Sequence, residues 1–385
     1  MKNLSSRQRV LQAISRQEPD RVPIGFGGAF DTLHHYPSNS GNSRGGYLHL
    51  CEYMGFTDCR SPVVAQQGNI VINVDNRILE KFGSDLRWIY MNQPKLKLLP
   101  DGTLQDLLGI RLKRAGKTIF YTNFPLANAE TQQDILNFPN WADPSDPLFT
   151  RGIRERAQRL HDAGYAVATF PGYAGQIFHL YTFLRGFEQW LIDPYINPRL
   201  FTTLSERIVD WSLEVCKHFY DVIHDLVDIA VYGDDMGSQT STLFSPSDFR
   251  KFIKPWMTRY VQGVKSISGA KLMLHCCGAI EPLIVDFIEM GIDILNPVQP
   301  LARGMELDQL KAKYGHDICF YGGMDVQKLL TKGTPDHVAE EVERTLDVMK
   351  PGGGYIFAPS HNFQDDVPPE NIVSMYETAL RCGVY

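Results

Sequence analysis

The feature of this sequence that most constrains its fold is a repeated alternation of short apolar runs with longer helical patterns. Helical patterns such as those at 198–225 and 334–350 separate the apolar runs. Strands that alternate with helices predict parallel β-α units, because two parallel strands need a crossover connection. The apolar runs, which mostly end in Gly, Asp, Asn, His or Cys, lie at residues 22–28, 165–172, 227–237, 271–278, 292–299, 317–324 and 354–361.

This alternation predicts an α/β fold, specifically a (β/α)8 TIM barrel formed by residues 1–385 as a single domain. Seven candidate strands, with one more expected in the less regular part of the chain, come close to the eight that a barrel requires. A doubly wound sheet is the structural alternative, but "GFGGAF" at 25–30 lacks the glycine spacing of a dinucleotide-binding turn. In both folds the polar carboxyl ends of the strands meet at one edge, where active sites are built.

Residues 30–145 interrupt the alternation. The stretch 27–46 is rich in Gly, Ser, Asn and His, which is typical of a long loop. Further on, the dipeptide Asp101-Gly102 lies between short strand-like runs and predicts a β-hairpin. We therefore expect 30–145 to be a loop and β-hairpin insertion after the first strand, which would cap the barrel mouth or serve an oligomer interface.

Composition narrows the class of protein. The chain has 385 residues, of which 43% are hydrophobic and 21% charged, as in an ordinary globular protein with a large core. Its net charge of −6 argues against nucleic acid or an anionic membrane surface as the main partner. It has neither a membrane-spanning run nor a signal-peptide core, and its seven scattered cysteines do not indicate a disulfide framework. We expect a cytoplasmic enzyme that acts on a small molecule.

The segment "KLMLHCCGAI", residues 271–280, ends an apolar run with a histidine and two cysteines. Because side chains alternate between the two faces of a strand, His275 and Cys277 face one side and Cys276 packs on the other. An imidazole and a thiolate on one face suit a zinc ion. A buried histidine beside two core cysteines is the alternative, whereas a Cys276–Cys277 redox pair is disfavoured because adjacent cysteines bridge only with strain.

Other strand ends offer residues that complete such a site. A catalytic zinc keeps three protein ligands and one open position, and His361, just after the last predicted strand, is the candidate third ligand. Asp234 and Asp235 end the strand at 227–237 and are candidate catalytic residues that orient ligands or carry protons.

Four further polar residues are candidate substrate contacts. Asn296 and Gln299 lie at a strand end, where capping the next helix is an equal alternative, and His34 and His35 lie in the first loop, where solvated histidines are common. Within the aromatic-rich stretch 169–194, which we interpret mainly as core, Arg185 and Glu188 fit an ion pair on a helix surface.

Taken together, several motifs resemble the uroporphyrinogen decarboxylase superfamily, and within it the branch of cobalamin-dependent methyltransferases. The resemblance extends over the whole chain. It is carried by the opening helix and first strand at 5–26, "YGDDMGSQTSTLFSPSDFRKFIKPW" at 232–256, "LHCCGAIEPLI" at 274–284, "DILNPVQP" at 293–300 and "FYGGMD" at 320–325.

The resemblance implies a (β/α)8 barrel and, in the methyltransferase branch, a zinc ion held by an H-x-C pair and a distant cysteine. His275 and Cys277 match the pair, but "PSHNFQDD" at 359–366 stands where that branch has its late cysteine, so His361 is the expected substitute. Uroporphyrinogen decarboxylases hold a tetrapyrrole with many carboxylates through an arginine-containing loop after the first strand. Here that loop has no arginine before Arg44, which disfavours a polyanionic substrate.

From the residues and the resemblance together, we expect a zinc-dependent methyltransferase. It would move a methyl group between methylcobalamin on a separate corrinoid-binding protein and a small acceptor or donor such as a thiol, whose pKa zinc lowers. Two alternatives stay open at this point: a metal-free lyase or decarboxylase that uses Asp234 or Asp235, and a non-catalytic module that docks a corrinoid protein.

Overall fold

Six strands of the main sheet coincide with apolar runs of the sequence, and most of their side chains are buried. The computed structural model of the chain describes residues 4–27, 46–59, 71–115 and 118–385. In these residues the strands are β1 (Leu86–Tyr90), β2 (Lys97–Leu98), β3 (Leu104–Gln105), β4 (Arg111–Ala115), β5 (Thr118–Asn123), β6 (Ala166–Phe170), β7 (Ile229–Gly233), β8 (Lys271–His275), β9 (Ile294–Val298), β10 (Cys319–Met324) and β11 (Tyr355–Pro359).

Helices follow most of these strands and pack around them. In the described ranges they are α1 (Ser6–Ile14), α2 (Tyr47–Tyr53), α3 (Asn76–Lys81), α4 (Gln132–Leu136), α5 (Ile153–Asp162), α6 (Ile177–Arg185), α7 (Phe187–Ile196), α8 (Pro198–Asp221), α9 (Pro246–Asp248), α10 (Lys254–Ser268), α11 (Ile284–Met290), α12 (Leu307–Tyr314), α13 (Leu329–Lys332), α14 (Pro335–Met349) and α15 (Pro369–Cys382). A π-helical turn, Phe249–Ile253, precedes α10. Over the same ranges, none of the helices has both the length and the apolar character that a membrane span requires.

The main sheet of the described chain has seven parallel strands in the order β1-β6-β7-β8-β9-β10-β11. Every strand therefore lies beside its successor within this sheet, which curls as its helices pack outside. The predicted α/β class with a parallel sheet is confirmed. The antiparallel sheet β2-β3-β4-β5 is separate from it. The turn between β2 and β3 contains Asp101-Gly102.

The first predicted strand, 22–28, contributes a short connection between the two edges of the curled sheet. Phe357 N, on β11, donates to Pro23 O (2.9 Å), and Gly25 N donates to Phe357 O (2.9 Å). On the other side, Asp85 N, just before β1, donates to Ile24 O (2.8 Å). Strand β1 itself lies inside the range 30–145, so this range holds a strand of the main sheet as well as the antiparallel sheet.

Register brings the carboxyl ends of neighbouring strands to one level. Gly233 at the end of β7 pairs with His275 at the end of β8, and His275 pairs with Asn296 on β9. Below this level the interior of the curled sheet is filled by apolar side chains from its strands, with Val10 and Ile14 of α1 packed at the amino end. The segments that follow β7, β8 and β9 therefore share the opposite, carboxyl-end edge.

Candidate functional site

A histidine–cysteine–histidine cluster lies at the carboxyl ends of β8 and β11. The ligand atoms of His275, Cys277 and His361 all lie within 4.8 Å of one another, and each side chain is partly buried. Within this group, Cys277 Sγ is 3.6 Å from His275 Nε2. Cys276, between His275 and Cys277 in sequence, is fully buried and its Sγ accepts a hydrogen bond from Met236 N, so it packs away from the cluster as the strand alternation predicts.

Asn296 on β9 and Gln299, which directly follows this strand, hold the His275–Cys277 segment. Asn296 Oδ1 lies 2.7 Å from His275 Nδ1, and because a carbonyl oxygen only accepts, the ring donates from Nδ1 and turns Nε2 toward Cys277 Sγ. Gln299 Oε1 accepts from Gly278 N at 3.0 Å. Asn296 and Gln299, predicted as substrate contacts or helix caps, thus hold the segment that carries His275 and Cys277.

Asp235 connects the cluster to helix α6. Its Oδ1 accepts from Cys277 N at 2.7 Å, and its Oδ2 lies 3.7 Å from His179 Nε2. His179 Nδ1 is 3.2 Å from Gly233 O, which can only accept, so the ring donates there. Asp235 and His179 consequently face each other beside the cluster.

Asp234 occupies a different place. It is fully buried, and its two oxygens accept from the backbone N–H groups of Ile177 (3.1 Å), Phe178 (2.9 Å) and His179 (2.7 Å). These are the first three residues of α6, where the unpaired amides and the helix dipole favour an anion. The Tyr232 hydroxyl also donates to Asp234. Asp234 therefore anchors the helix that carries His179.

Burial and neighbouring charges shift the pKa values in the cluster. Burial, reinforced by the charge of Asp235, raises the pKa of the Cys277 thiol. Burial, followed by the charge of His275, lowers the pKa of His361 to about 4. Burial acts to raise the pKa of Asp235, but His275, His179 and the Cys277 amide outweigh it and lower the pKa. Without a cation, the cluster thus favours a neutral His361 and a protonated Cys277.

This donor set fits a zinc ion. Ligand distances of about 2.0 Å to nitrogen and 2.3 Å to sulfur give a tetrahedral edge of about 3.5 Å, close to the 3.6 Å between Cys277 Sγ and His275 Nε2. A neutral imidazole is the form that binds metals, and a coordinated thiol loses its proton. Three protein ligands leave a fourth position open, as in catalytic rather than structural zinc sites.

A large cavity lies at the same edge, beside β1 and β6. Its volume is about 740 Å³, and its lining includes Trp88, Tyr90, Phe170 and Tyr173. Phe170 also approaches the cluster, since a Cβ added to Gly233 would lie 4.0 Å from the Phe170 ring and 3.8 Å from His275 Cβ. This edge of the sheet therefore has space for a large molecule near the cluster.

The structure brings together His275, Cys277, His361, Asp235, Asn296 and Gln299, and it places Asp234 beneath them. His34 and His35 lie outside the described residues. His179 is the residue that sequence reasoning missed, because it lay within an aromatic stretch interpreted as core. Its position just after a strand, in the first turn of the following helix, was the signal that could have indicated it.

The family model and the curated relatives point to the same family. The family model for "Uroporphyrinogen decarboxylase (URO-D)" matches residues 128–381. The uroporphyrinogen decarboxylase of Psychromonas ingrahamii is 24% identical over 208 residues, covering 52% of this chain and 55% of that protein. The enzyme of Hydrogenovibrio crunogenus is 26% identical over 197 residues, covering 47% and 53%. The chain thus spans about half the length of these curated relatives.

Among solved structures, a methyltransferase from Methanosarcina mazei has a similar fold. The two chains superpose with a TM-score of 0.64 over 98% of this chain and 99% of that one, at 17% sequence identity. At that identity the likeness describes the fold, which the two proteins share over nearly their full lengths.

Proposed function

The chain belongs to the uroporphyrinogen decarboxylase family, and from the site it carries we propose that it is a zinc-dependent methyltransferase. It moves a methyl group between a corrinoid (cobalamin) on a partner protein and a small acceptor or donor such as a thiol. The observation that carries this proposal is the His275–Cys277–His361 cluster, whose ligand atoms lie within 4.8 Å of one another at the edge where such barrels build active sites. We take the sheet together with residues 22–26 as the (β/α)8 barrel of this family.

The residues around the cluster have separable tasks in this proposal. His275, Cys277 and His361 hold the ion, and bound zinc supplies a Lewis acid that lowers the pKa of a thiol. Asn296 fixes the ring orientation of His275 through Nδ1. Asp235 holds the Cys277 amide and faces His179, so this pair is placed to take or return a proton at the reacting group.

The space around the cluster supports a large methyl carrier as the second reactant. The lining of the cavity of about 740 Å³ includes four aromatic side chains, and one of them, Phe170, lies beside Gly233, which in turn neighbours His275. A corrinoid presented by a partner protein would enter this side of the edge, and the fold shared with the protein named as a methyltransferase supports the same assignment.

Metal analysis of the purified chain tests the proposal. We expect about one zinc per chain under anaerobic purification, and a loss of most of it in His275→Ala, Cys277→Ala and His361→Ala, since each removes one of three ligands. Cys382→Ala and His337→Ala, which alter a thiol and an imidazole far from the cluster, are the matched controls and should keep the metal. A wild-type chain without zinc, or triad variants with unchanged zinc, would contradict the proposal.

A metal-free decarboxylase is the second candidate, favoured by the similarity to curated uroporphyrinogen decarboxylases. It predicts release of CO₂ from uroporphyrinogen by chelator-treated protein, with Asp235 as the polar catalyst. We expect no such release. In contrast, transfer of a methyl group from methylcobalamin to a thiol should depend on the metal and fall to background in Cys277→Ala.

A further inference from the structure

Two arginines of helix α5 line the large cavity beside β1 and β6. Arg156 and Arg159 both belong to the lining of this cavity of about 740 Å³, and both residues are exposed, so a molecule in the cavity can reach them. Among the residues that the structure describes, they are the two cationic side chains of the lining. One wall of the cavity is thus positively charged, although the chain as a whole has a net charge of −6.

No carboxylate in the described part of the chain forms an ion pair with either of these arginines. A third arginine of the same helix shows the contrast. Arg154 Nη2 lies 2.8 Å from Asp225 Oδ2, so that arginine has its counter-charge within the chain. The charges of Arg156 and Arg159 are therefore left for a group that enters the cavity.

The lining contains one carboxyl group, that of Asp106, and its oxygens are already bonded elsewhere. Asp106 Oδ2 accepts from the Tyr173 hydroxyl at 2.6 Å, and Oδ1 accepts from the backbone amides of Leu108 and Ile110 at 2.9 Å each. Asp106 consequently holds the loop between β3 and β4 and does not offset the charge of the two arginines.

The two guanidinium groups are held near each other. Side chains three positions apart lie on one face of a helix, and desolvation, followed by the positive charge of Arg159, lowers the pKa of Arg156. Arg156 Nη2 donates to Asn92 Oδ1 at 3.1 Å, and Asn92 Nδ2 is itself fixed because it donates to Leu148 O and Arg151 O at 2.9 Å each. An anion that accepts from both arginines would relieve the repulsion between them through charge-assisted hydrogen bonds.

Aromatic rings form another part of the lining. Trp88 and Tyr90 stack with ring centroids 6.5 Å apart and an interplanar angle of 16°, and Phe170 and Tyr173 line the same cavity. Ring faces of this kind pack well against a flat aromatic ligand.

We propose that the large cavity binds a small aromatic oxyanion, a carboxylate or a phosphate ester, whose anionic group lies on Arg156 and Arg159 and whose ring lies along the aromatic wall. Two cationic side chains match one anionic group, in contrast to the many carboxylates of uroporphyrinogen. The inference goes beyond the proposed methyl transfer, because the arginines bind the anion whether or not the cluster holds zinc.

Calorimetric titration of the full-length chain with three naphthalene probes tests this inference. 2-Naphthoate carries a carboxylate, 2-naphthyl phosphate carries a phosphate, and 2-naphthamide has the same ring without a charge. At low ionic strength we expect at least one of the two anions to bind at least about tenfold more tightly than the amide, the effect of charge-assisted hydrogen bonds. The anion that binds more tightly identifies the class. Equal binding of all three probes, or no binding of either anion, would overturn the inference.

Glutamine variants assign the anionic group to the arginines. Arg156→Gln and Arg159→Gln remove the charge and should each weaken binding of the anion at least about fivefold, while the amide stays within about twofold of its wild-type affinity. Arg154→Gln, which alters the arginine paired with Asp225, is the control and should change none of the three affinities. All three positions are exposed, so we expect the variants to fold. Unchanged binding of the anions in both cavity variants refutes the assignment.

Two measurements on the wild-type chain need no variant. Raising the ionic strength from about 0.05 to about 0.5 M should weaken binding of the anion but not of the amide, because salt screens the guanidinium charges. An anion affinity that salt leaves unchanged speaks against the arginines. Removal of bound metal with a chelator, followed by dialysis, should preserve the preference for the anion. A preference lost with the metal would place the anion on the cluster and overturn this inference, whereas a preference in a chain that never holds zinc refutes the proposed function alone.

Discussion

The ring orientation of His275, which decides which nitrogen could bind a metal, depends on one neighbouring side chain. Asn296 is fully buried, and its Oδ1 lies 2.7 Å from His275 Nδ1, which directs Nε2 toward Cys277. Partners of this kind fix the orientation of a ligand and raise its basicity, and they are a large part of metal affinity. Asn296 therefore belongs to the proposed metal site although it is not one of its three ligands.

Replacing Asn296 tests this role. We expect Asn296→Ala to lower the affinity for zinc about 10- to 100-fold, because the ring of His275 loses its acceptor. Asn296→Asp keeps an acceptor and should recover most of the affinity. Competition with a chromogenic chelator measures both, with circular dichroism as the check on folding. An Asn296→Ala chain that holds zinc as tightly as the wild type would contradict the role.

Arg185 shows how a residue's partner can differ from the one that its sequence neighbours indicate. The sequence indicated an ion pair with Glu188 on the helix surface, but the partner of Arg185 in the structure is Asp193. Arg185 is 5% exposed and forms a buried ion pair with Asp193, while its Nη1 donates to the carbonyl oxygens of Leu126 (2.9 Å) and Ala129 (2.8 Å). The reason is that α6 lies against the segment before α4, so this face of the helix is interior.

At the scale of elements, the two adjacent aspartates that follow β7, Asp234 and Asp235, contact different parts of the structure. Asp234 binds the amino end of α6 through three amides, whereas Asp235 points to the Cys277 amide and His179. The first carboxylate thereby positions the helix whose His179 faces the second. We propose Asp235, with His179, as the proton carrier, and Asp234 as a positioning residue.

Ion pairs between helices give the fold a pH-dependent contribution to its stability. Asp286 on α11 is 2% exposed and accepts from Arg250 Nε (3.0 Å) and Lys254 Nζ (2.9 Å). Burial acts to raise the pKa of Asp286, but Arg250 and Lys254 outweigh it and hold the pKa below its ordinary value of 3.8. A carboxyl with a lowered pKa in the folded state stabilises above its unfolded pKa, and this stabilisation disappears as the pH falls through the folded pKa.

Asp286→Asn should therefore reduce the free energy of unfolding by roughly 1–3 kcal/mol at pH 7. The difference from the wild type should shrink once the pH falls below 3.8, the ordinary value for this carboxyl. Urea unfolding at several pH values between 7 and 3 measures it. Asp308→Asn, at an exposed position, is the control and should change little. A difference that is the same at pH 3 and pH 7 would show that the charge of Asp286 is not its cause.

For the molecule as a whole, the interior of the curled sheet connects parts of the chain far apart in sequence. Its apolar cluster draws residues from α1 and from every strand of the seven-stranded sheet, including Tyr321 of β10. Gly25 lies against this tyrosine so closely that an added Cβ would be 2.0 Å from its hydroxyl oxygen. The absence of a side chain at Gly25 is thus needed for residues 22–26 to reach β11.

Gly25→Ala should destabilise the whole fold by about 1–3 kcal/mol through overpacking. Gly233→Ala on β7, whose added Cβ meets its nearest neighbour only at 3.8 Å, is the control and should cost less. In a double-mutant cycle with Tyr321→Leu, which makes room, the two changes should couple by at least about 1 kcal/mol. Strict additivity in urea unfolding would refute the contact as the cause.

Local periodicity let the sequence by itself determine the fold class and the central motif. Alternating strands and helices indicate a parallel α/β sheet, and the two-residue period of a strand separates His275 and Cys277 from the buried Cys276. Only the tertiary structure decided the partners: Asn296 for His275, α6 for Asp234, Asp193 for Arg185, and the place of His179 beside Asp235. Most of these contacts join residues that are tens of positions apart in sequence. They form because elements pack against each other, and local sequence patterns carry no information about that packing.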